Sequence, residues 1–229
     1  MYELLHNYEV IGIPCVPWII YIYIAAVTAL VIFYPHRFLI LSCFVIASAA
    51  CMFAGVFSSR IGAKGAIYTT AALVYPGVFF TVYLMIAGGE LWLPTLTIGA
   101  LACFFCDTFA LLGGTKFGKH KVAPLVSPNK SVEGCICGAA SSLAAGALGY
   151  FILLKWFPLP LWLCVITAFI ASTMGQIGDL VESLLKRYLG VKDFSNLIPG
   201  HGGMFDRADS LLLAIPTAYF FIYAYTLFA

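Results

Sequence analysis

Ionisable side chains are concentrated in one stretch of a chain that is only 10% charged. The stretch from Ser183 to Asp209 reads SLLKRYLGVKDFSNLIPGHGGMFDRAD and lies between two apolar runs. Carboxylates beside fixed cations at the edge of a bilayer favour a metal-assisted site for a phosphate-bearing substrate. A solvated loop between two membrane helices is the alternative interpretation. The ionisable residues of this stretch, with two acids that precede it, are Asp179, Glu182, Lys186, Arg187, Lys192, Asp193, His201, Asp206, Arg207 and Asp209.

The spacing of the acids places them on helix faces. Asp179 and Glu182 are three residues apart and so share a face, and Asp206 and Asp209 repeat that spacing at the start of the last apolar run. Two helix ends can therefore present carboxylates to one point. Hard oxygen ligands select Mg²⁺, which binds substrate phosphates through a few carboxylates. Simple pairing of these acids with nearby lysines and arginines is the structural alternative.

A second informative stretch runs from Asp107 to Gly134. Asp107 falls inside the fourth apolar run, where an ionisable group is costly and usually faces a polar cavity or a partner. Gly113 and Gly114 are expected to loosen the backbone that follows. Ser131 is expected to cap the fifth apolar helix, whose free N–H groups favour a nearby anion, and Lys130 is placed to reach a phosphate.

Composition predicts an all-α, polytopic integral membrane protein. The chain is 62% hydrophobic with a mean hydropathy of +1.00, and its charged fraction is far below the roughly 25% of a soluble domain. Long continuous apolar segments argue against a barrel. Segments of about 20 apolar residues predict seven transmembrane helices at residues 14–34, 38–57, 66–87, 91–112, 134–154, 159–178 and 210–228.

Basic residues predict the orientation. With seven spans, ten of the twelve Lys and Arg residues follow the second, fourth or sixth span, and only Arg37 and Lys155 fall on the other face. The positive-inside rule then places the ten-residue face, the candidate site and the N-terminus in the cytoplasm, and the C-terminus outside. The ten residues are Arg60, Lys64, Lys116, Lys119, Lys121, Lys130, Lys186, Arg187, Lys192 and Arg207.

The chain is expected to form a single membrane domain in which two regions have different roles. Residues 1–65 contain no catalytic-looking cluster and are interpreted as scaffold helices, whereas residues 66–229 carry both informative stretches. The N-terminus lacks the basic region of a signal peptide. The eight cysteines are interpreted as buried thiols in apolar runs rather than as a zinc site.

Both stretches resemble the CDP-diacylglycerol synthases, also called phosphatidate cytidylyltransferases. The one departure within these motifs is Ala208, where a larger aliphatic residue is expected, and the N-terminal half matches only in its hydrophobic character. The first stretch contributes Asp107-x-x-Ala110, Gly114-x-x-Phe117-Gly118 and Ser127-Pro128-x-Lys130-Ser131-x-Glu133-Gly134. The second contributes Ser183-x-Leu185-Lys186-Arg187, Lys192-Asp193-x-Ser195, Ile198-Pro199-x-His201-Gly202-Gly203 and Asp206-Arg207-x-Asp209.

The resemblance implies the substrates CTP and phosphatidate and the products CDP-diacylglycerol and pyrophosphate. It implies Mg²⁺ held by Asp179 and Asp206 with Asp209 close by, and leaves a second cation open. It also implies a homodimer in a bacterial-type cytoplasmic membrane, with the bilayer as a partner and no nucleic acid. On this basis the catalytic candidates are Asp206, Asp209, Lys192, Arg207 and His201. The substrate-binding candidates are Lys130, Ser131, Asp107, Lys186, Arg187 and Asp193.

Several rival functions fit part of the pattern. A CTP-dependent polyprenol or phytol kinase, or a synthase acting on an ether-lipid phosphate, would also need CTP, a metal and an apolar acceptor. A cation-coupled transporter would use the intramembrane acids Asp107 and Asp179 as a relay. The Asp-x-x-Asp-Gly-x-x-Ala-Arg motif of CDP-alcohol phosphotransferases does not occur in the sequence.

Overall fold

The computed structural model describes residues 1–195, 197 and 202–228. Within these residues the chain is almost entirely helical, with a single two-stranded antiparallel hairpin. The helices are α1 (Tyr2–Val10), α2 (Pro17–Phe33), α3 (Arg37–Phe57), α4 (Gly62–Ala72), α5 (Phe79–Ala87), α6 (Trp92–Phe117), α7 (Val132–Leu153), α8 (Leu161–Leu189) and α9 (Asp209–Phe228). The strands are β1 (Lys121–Ala123) and β2 (Ser127–Ser131), and a short 3₁₀ turn covers Phe205–Arg207.

Six of the helical segments are long and apolar enough to cross a membrane. The shorter helix α2 has 17 residues and coincides with the first predicted span. The predicted fold class, an all-α multi-pass membrane protein, is therefore confirmed. The six long segments are Arg37–Phe57, Gly62–Ala87, Trp92–Phe117, Val132–Leu153, Leu161–Leu189 and Asp209–Phe228.

The chain forms two compact units. Unit 1 consists of Met1–Gly88 with Leu189–Asp206, and unit 2 consists of Gly89–Tyr188 with Arg207–Ala229. In unit 1, α3 packs against both α2 and α4, and α1 packs against α4. A π-helical segment, Leu73–Val78, joins α4 to α5 and contains Pro76, whose missing N–H interrupts the regular helical ladder.

In unit 2, small residues bring α6 and α7 into close contact. A Cβ atom at Gly113 would lie 2.5 Å from the Cβ of Cys137, and one at Gly134 would lie 2.7 Å from the carbonyl oxygen of Ala110. Gly113 and Gly114 were expected to loosen the backbone, and that expectation is wrong. Both glycines lie inside α6, where their missing side chains permit close helix packing.

Helix α8 packs against α7 in the same way. A Cβ atom at Gly146 would lie 2.6 Å from the carbonyl oxygen of Cys164, and the Ser172 hydroxyl donates to the Ser142 hydroxyl at 2.9 Å. The buried core of unit 2 draws on α6, α7, α8 and α9 and includes many alanines, so these four helices sit close together. Its members include Ile98, Ala102, Leu163, Ala168, Ala171, Ala214, Ala218 and Ile222.

Two helices extend beyond their predicted ends. Helix α6 continues to Phe117 and α8 continues to Leu189, so Lys186 and Arg187 lie in the last turn of α8 and not in a loop. The sequence-based boundaries were wrong here because they followed continuous hydrophobicity, whereas these helix ends become amphipathic. Helix α1 and the hairpin of β1 and β2 were not predicted.

Candidate functional site

The stretch from Asp107 to Gly134 and the part of α8 that carries Asp179 face one cavity of unit 2. The cavity has a volume of about 510 Å³ and is lined by residues of α6, β2, α7 and α8. Its charged and polar lining includes four residues singled out from the sequence, Asp107, Lys130, Ser131 and Asp179. Residues that are distant in sequence therefore face a common space large enough for a small ligand.

A salt bridge across this cavity joins the stretch from Asp107 to Gly134 to Asp179 of α8. The Lys130 ammonium group pairs with Oδ2 of Asp179, and the side chains are only 23% and 28% exposed. Lys130 also donates to the carbonyl oxygen of Gln176 at 3.5 Å, and the Ser183 hydroxyl lies 3.4 Å from Oδ1 of Asp179. The salt bridge fixes β2 to α8 and keeps one cation and one anion at the cavity wall.

Ser131 positions the start of α7 beside this pair. Its hydroxyl oxygen accepts a hydrogen bond from the backbone N–H of Gly134 at 3.2 Å, and its backbone is extended as an N-cap requires. The predicted cap is confirmed. Because Ser131 itself is buried and lines the cavity, the first turn of α7 begins at the cavity wall.

The hairpin that carries Lys130 is anchored at both ends. Lys121 lies opposite Ser131 in the ladder, and the Glu133 carboxylate accepts the backbone N–H of Lys119 at 3.0 Å and the His120 ring nitrogen at 2.6 Å. At the turn, Nε of Arg187 donates to the carbonyl oxygen of Val126 at 3.1 Å. Arg187 thus holds the hairpin against α8.

Three carboxylates of unit 2 form an acidic cluster near the cavity. Asp107 interacts electrostatically with Asp179 and Asp209, and Asp209 also interacts with Lys130 and Lys186. Hard carboxylate oxygens of this kind suit Mg²⁺. Across the described residues, no three His, Cys, Asp or Glu side chains form a ready-made metal site.

Asp206 belongs to unit 1, where it organises the backbone around the paired glycines. Its Oδ2 atom accepts the N–H of Phe194 at 3.0 Å and that of Gly203 at 2.8 Å. Gly202 has a φ of +81°, which favours glycine, and a Cβ atom at Gly203 would lie 2.9 Å from Oδ2 of Asp206. The Gly-Gly pair is therefore required by the tight turn that Asp206 closes.

The other candidates lie apart from the cavity lining. Lys192 and Asp193 are exposed in unit 1, and Arg207 is exposed in unit 2. Lys186 pairs with the fully buried Glu182 one helical turn earlier, at 3.0 Å. His201 lies outside the residues that the structure describes.

The structural roles of three polar residues were not predicted from the sequence, although one of them, Glu133, lies within a quoted motif. Gln176 donates to the carbonyl oxygen of Cys135 at 3.1 Å and lines the cavity, and Glu133 anchors the hairpin. Glu3 accepts backbone N–H groups of the glycine-rich stretch in unit 1. Gln176 and Glu133 could have been found from their proximity to the motifs, but Glu3 carries no such signal.

The fold and the cavity define a class, an all-α multi-pass membrane protein with a charged cavity between its helices. A profile described as the cytidylyltransferase family matches residues 5–225, and the chain belongs to that family. The chain is 38% identical to a phosphatidate cytidylyltransferase of Staphylococcus saprophyticus over 158 residues, which cover 69% of this chain and 59% of that protein.

Two further relatives bear the same name. The Bacillus subtilis protein is 38% identical over 157 residues, covering 68% of this chain and 57% of the relative. The Staphylococcus aureus protein is 44% identical over 117 residues, covering 51% of this chain and 44% of the relative. The chain thus spans less than two thirds of the length of these relatives.

Proposed function

We propose that the protein is a phosphatidate cytidylyltransferase that converts CTP and phosphatidate into CDP-diacylglycerol and pyrophosphate. The observation that carries this proposal is the Lys130–Asp179 salt bridge in the unit 2 cavity, because it joins Lys130 of one motif to the metal-ligand candidate Asp179 in one site. The family membership and the names of the similar proteins support the same activity.

The proposed reaction is an in-line displacement at phosphorus. An oxygen of the phosphatidate head group attacks the α-phosphorus of CTP, a new P–O bond forms, and the bond to the leaving pyrophosphate breaks. A phosphate monoester has a second pKa near about 6 and is largely dianionic at neutral pH, so a strong general base is unnecessary. The main task of the protein is to bring two polyanions together.

Basic side chains of unit 2 would carry out that task. Lys130 is held at the cavity wall, and Lys186 and Arg187 lie on the final turn of α8. These cations would neutralise and orient phosphate groups, and Ser131 at the start of α7 adds a helix N-terminus that favours an anion. From the resemblance alone, Lys192, Arg207 and His201 are assigned catalytic roles and Asp193 is assigned to substrate binding.

Mg²⁺ is the proposed cofactor, and the acidic cluster fits its preference for carboxylate oxygen. Asp179 and Asp209 would hold the ion, and Asp206 joins them on the strength of the resemblance. When bound, the ion supplies charge neutralisation at the phosphates. When the ion is absent, the Lys130 ammonium group would neutralise the charge of the Asp179 carboxylate. This would explain why the two side chains are paired at the cavity wall.

The setting of the reaction is also a proposal. The ten basic residues on one predicted face favour a cytoplasmic site in a bacterial-type membrane, where CTP is available. The acyl chains of phosphatidate would remain among the apolar helices while the head group reaches the cavity. A homodimer is proposed from the resemblance.

A product analysis with purified protein tests the function. We expect pyrophosphate release that requires CTP, Mg²⁺ and phosphatidate together, and a lipid product that migrates as CDP-diacylglycerol on thin-layer plates. Release of CDP with a phosphorylated polyprenol or phytol would show a kinase instead. Activity with an ether-lipid phosphate and none with phosphatidate would show that the acceptor is the ether lipid. Uptake of a cation into proteoliposomes without CTP would support a transporter.

A further inference from the structure

The buried carboxylate of Glu3 binds the glycine-rich stretch of unit 1. Oε1 of Glu3 accepts the Ser195 hydroxyl at 2.5 Å and the Met204 N–H at 3.0 Å. Oε2 accepts the Phe205 N–H at 2.8 Å. One side chain near the start of the chain therefore contacts both Ser195 and the Met204–Phe205 backbone.

Burial makes these contacts energetically significant. Glu3 is only 9% exposed, and a buried carboxylate is unfavourable unless hydrogen-bond donors replace its water. The two backbone N–H groups and one hydroxyl supply that replacement, and hydrogen bonds to an ionised acceptor are stronger than neutral ones. The same geometry leaves little room for a neutral amide, whose NH₂ group would face backbone N–H donors.

The backbone groups that Glu3 holds belong to the residues immediately before Asp206. Asp206 in turn accepts the N–H groups of Phe194 and Gly203 through Oδ2. Asn7, one turn after Glu3 on α1, donates to the carbonyl oxygen of Phe194 at 2.8 Å. Helix α1 and Asp206 thus contact the two ends of the same stretch.

Gly203 is constrained by both carboxylates. A Cβ atom there would lie 2.7 Å from Oε1 of Glu3 and 2.9 Å from Oδ2 of Asp206. A side chain at Gly203 would therefore push both carboxylates away, so glycine allows Glu3 and Asp206 to approach the same backbone turn. Glu3 and Asp206 together account for a glycine at position 203.

We propose that Glu3 is a positioning residue for Asp206. Glu3 fixes the backbone of Met204 and Phe205, and this fixes the direction in which the Asp206 carboxylate is presented. The proposal rests on the proposed function for its catalytic consequence, because Asp206 is a metal and catalytic candidate there. Helix α1 would then help to position a site residue, although residues 1–65 were interpreted from the sequence as scaffold helices only.

The test compares Glu3→Gln with Glu9→Gln. Both residues lie on α1, but Glu9 is exposed, so the second variant controls for loss of one negative charge from the helix. We expect Glu3→Gln to lower kcat per folded molecule by about 10- to 100-fold, with a much smaller change in KM for CTP, since displacement of a catalytic group by about 1 Å can have that effect. Glu9→Gln should match the parent protein.

Hydrogen exchange separates positioning from general loss of structure. In Glu3→Gln, peptides covering residues 202–206 should exchange faster, while peptides from α6 and α7 should be unchanged. Ser195→Ala, which removes a single contact to Glu3, should produce a smaller increase and remains available if Glu3→Gln does not fold. Equal exchange in residues 202–206 of the parent, Glu3→Gln and Ser195→Ala proteins would overturn the proposal.

The two readouts also distinguish this proposal from the proposed function. Hydrogen exchange needs no substrate, so it tests the anchoring even if the purified protein releases no pyrophosphate. Faster exchange in Glu3→Gln, combined with an inactive parent protein, would retain the structural role of Glu3 and reject the proposed function. Faster exchange with an unchanged kcat in an active protein would reject the positioning of Asp206.

Discussion

The salt bridge between Lys130 and Asp179 matters more for where it places two charges in the cavity than for the stability of the fold. Both side chains are largely buried, and for such a pair the cost of removing two charges from water offsets much of their attraction. Their value lies in keeping a cation and an anion at fixed points of a cavity within a membrane protein. An incoming phosphate can pair with Lys130 while a cation pairs with Asp179.

Asp206 combines a visible structural role with a proposed chemical one, and substitution can separate them. Asp206→Asn retains an oxygen that can accept the N–H groups of Phe194 and Gly203 but removes the charge. We predict that Asp206→Asn folds normally and loses about 100-fold or more in turnover, as expected for loss of a charge-stabilising group. Pyrophosphate release across a range of Mg²⁺ concentrations measures the effect.

Asp206→Ala serves as the comparison, because it removes both the charge and the acceptor. It should lose turnover to at least the same extent and also speed hydrogen exchange at Gly203. Near-normal, Mg²⁺-dependent turnover in Asp206→Asn would show that Asp206 is only a backbone anchor.

At the scale of elements, close packing of α6 on α7 holds the cavity wall in place. Asp107 lies on α6, Ser131 caps α7, and glycines at the interface let the two backbones approach. Helix association in a membrane depends on such packing because the lipid offers an equally apolar environment. The geometry of the site therefore depends on small residues that have no chemistry of their own.

Two glycines of α7 provide a matched test of this packing. A Cβ atom at Gly138 would lie 2.7 Å from the carbonyl oxygen of Cys106, whereas one at Gly149 would lie 3.3 Å from the side-chain Cγ1 of Ile98. We predict that Gly138→Ala destabilises the protein by about 1–3 kcal/mol, the usual effect of overpacking. Gly149→Ala should be near neutral, since its higher helix propensity offsets a mild contact. Thermal unfolding in detergent compares them, and equal stabilities would contradict the packing role.

The extent to which elements could be predicted depended on their hydrophobicity. The apolar segments were found because a run of about 20 apolar residues is the length that a membrane-spanning helix needs and is rare elsewhere. The last turns of α8 were missed because Lys186 and Glu182 interrupt the apolar run, although their i,i+4 pairing supports a helix. The hairpin of β1 and β2 was missed because its strands are short and depend on the distant Arg187 and Glu133.

At the scale of the whole molecule, motif residues were predicted better than the residues that support them. Asp107, Lys130, Ser131 and Asp179 carry charge or capping ability that can be seen in the sequence, and they meet in the cavity. Glu3 could not be predicted, because its contacts with Ser195 and Phe205 span almost the full length of the chain. Such contacts are determined by tertiary structure and leave no local pattern.

The predicted orientation in the membrane also belongs to the whole molecule. The hairpin turn at Leu125 lies on the basic face and should be cytoplasmic, whereas the end of α9 should lie outside. We predict that a fluorescent reporter is active when inserted at Leu125 and inactive when fused after residue 228. A periplasmic phosphatase reporter should show the reverse. A cytoplasmic signal at both positions would require a different number of crossings.

The central claim is that two stretches of the chain form one phosphoryl-transfer site, and a double-mutant cycle on Lys130 and Asp179 tests it most directly. The measurement is kcat/KM for pyrophosphate release in Lys130→Met, in Asp179→Asn and in the double variant. Lys155→Met, an exposed lysine on the opposite predicted face, is the control and should leave kcat/KM unchanged.

We predict that each single substitution lowers kcat/KM by about 100-fold, in the range found for one electrostatic group of an active site. The double variant should lose far less than the product of the two single effects, because residues that act as one unit are not additive. Full activity in either single variant, or a double variant whose loss equals the product, would contradict a shared site.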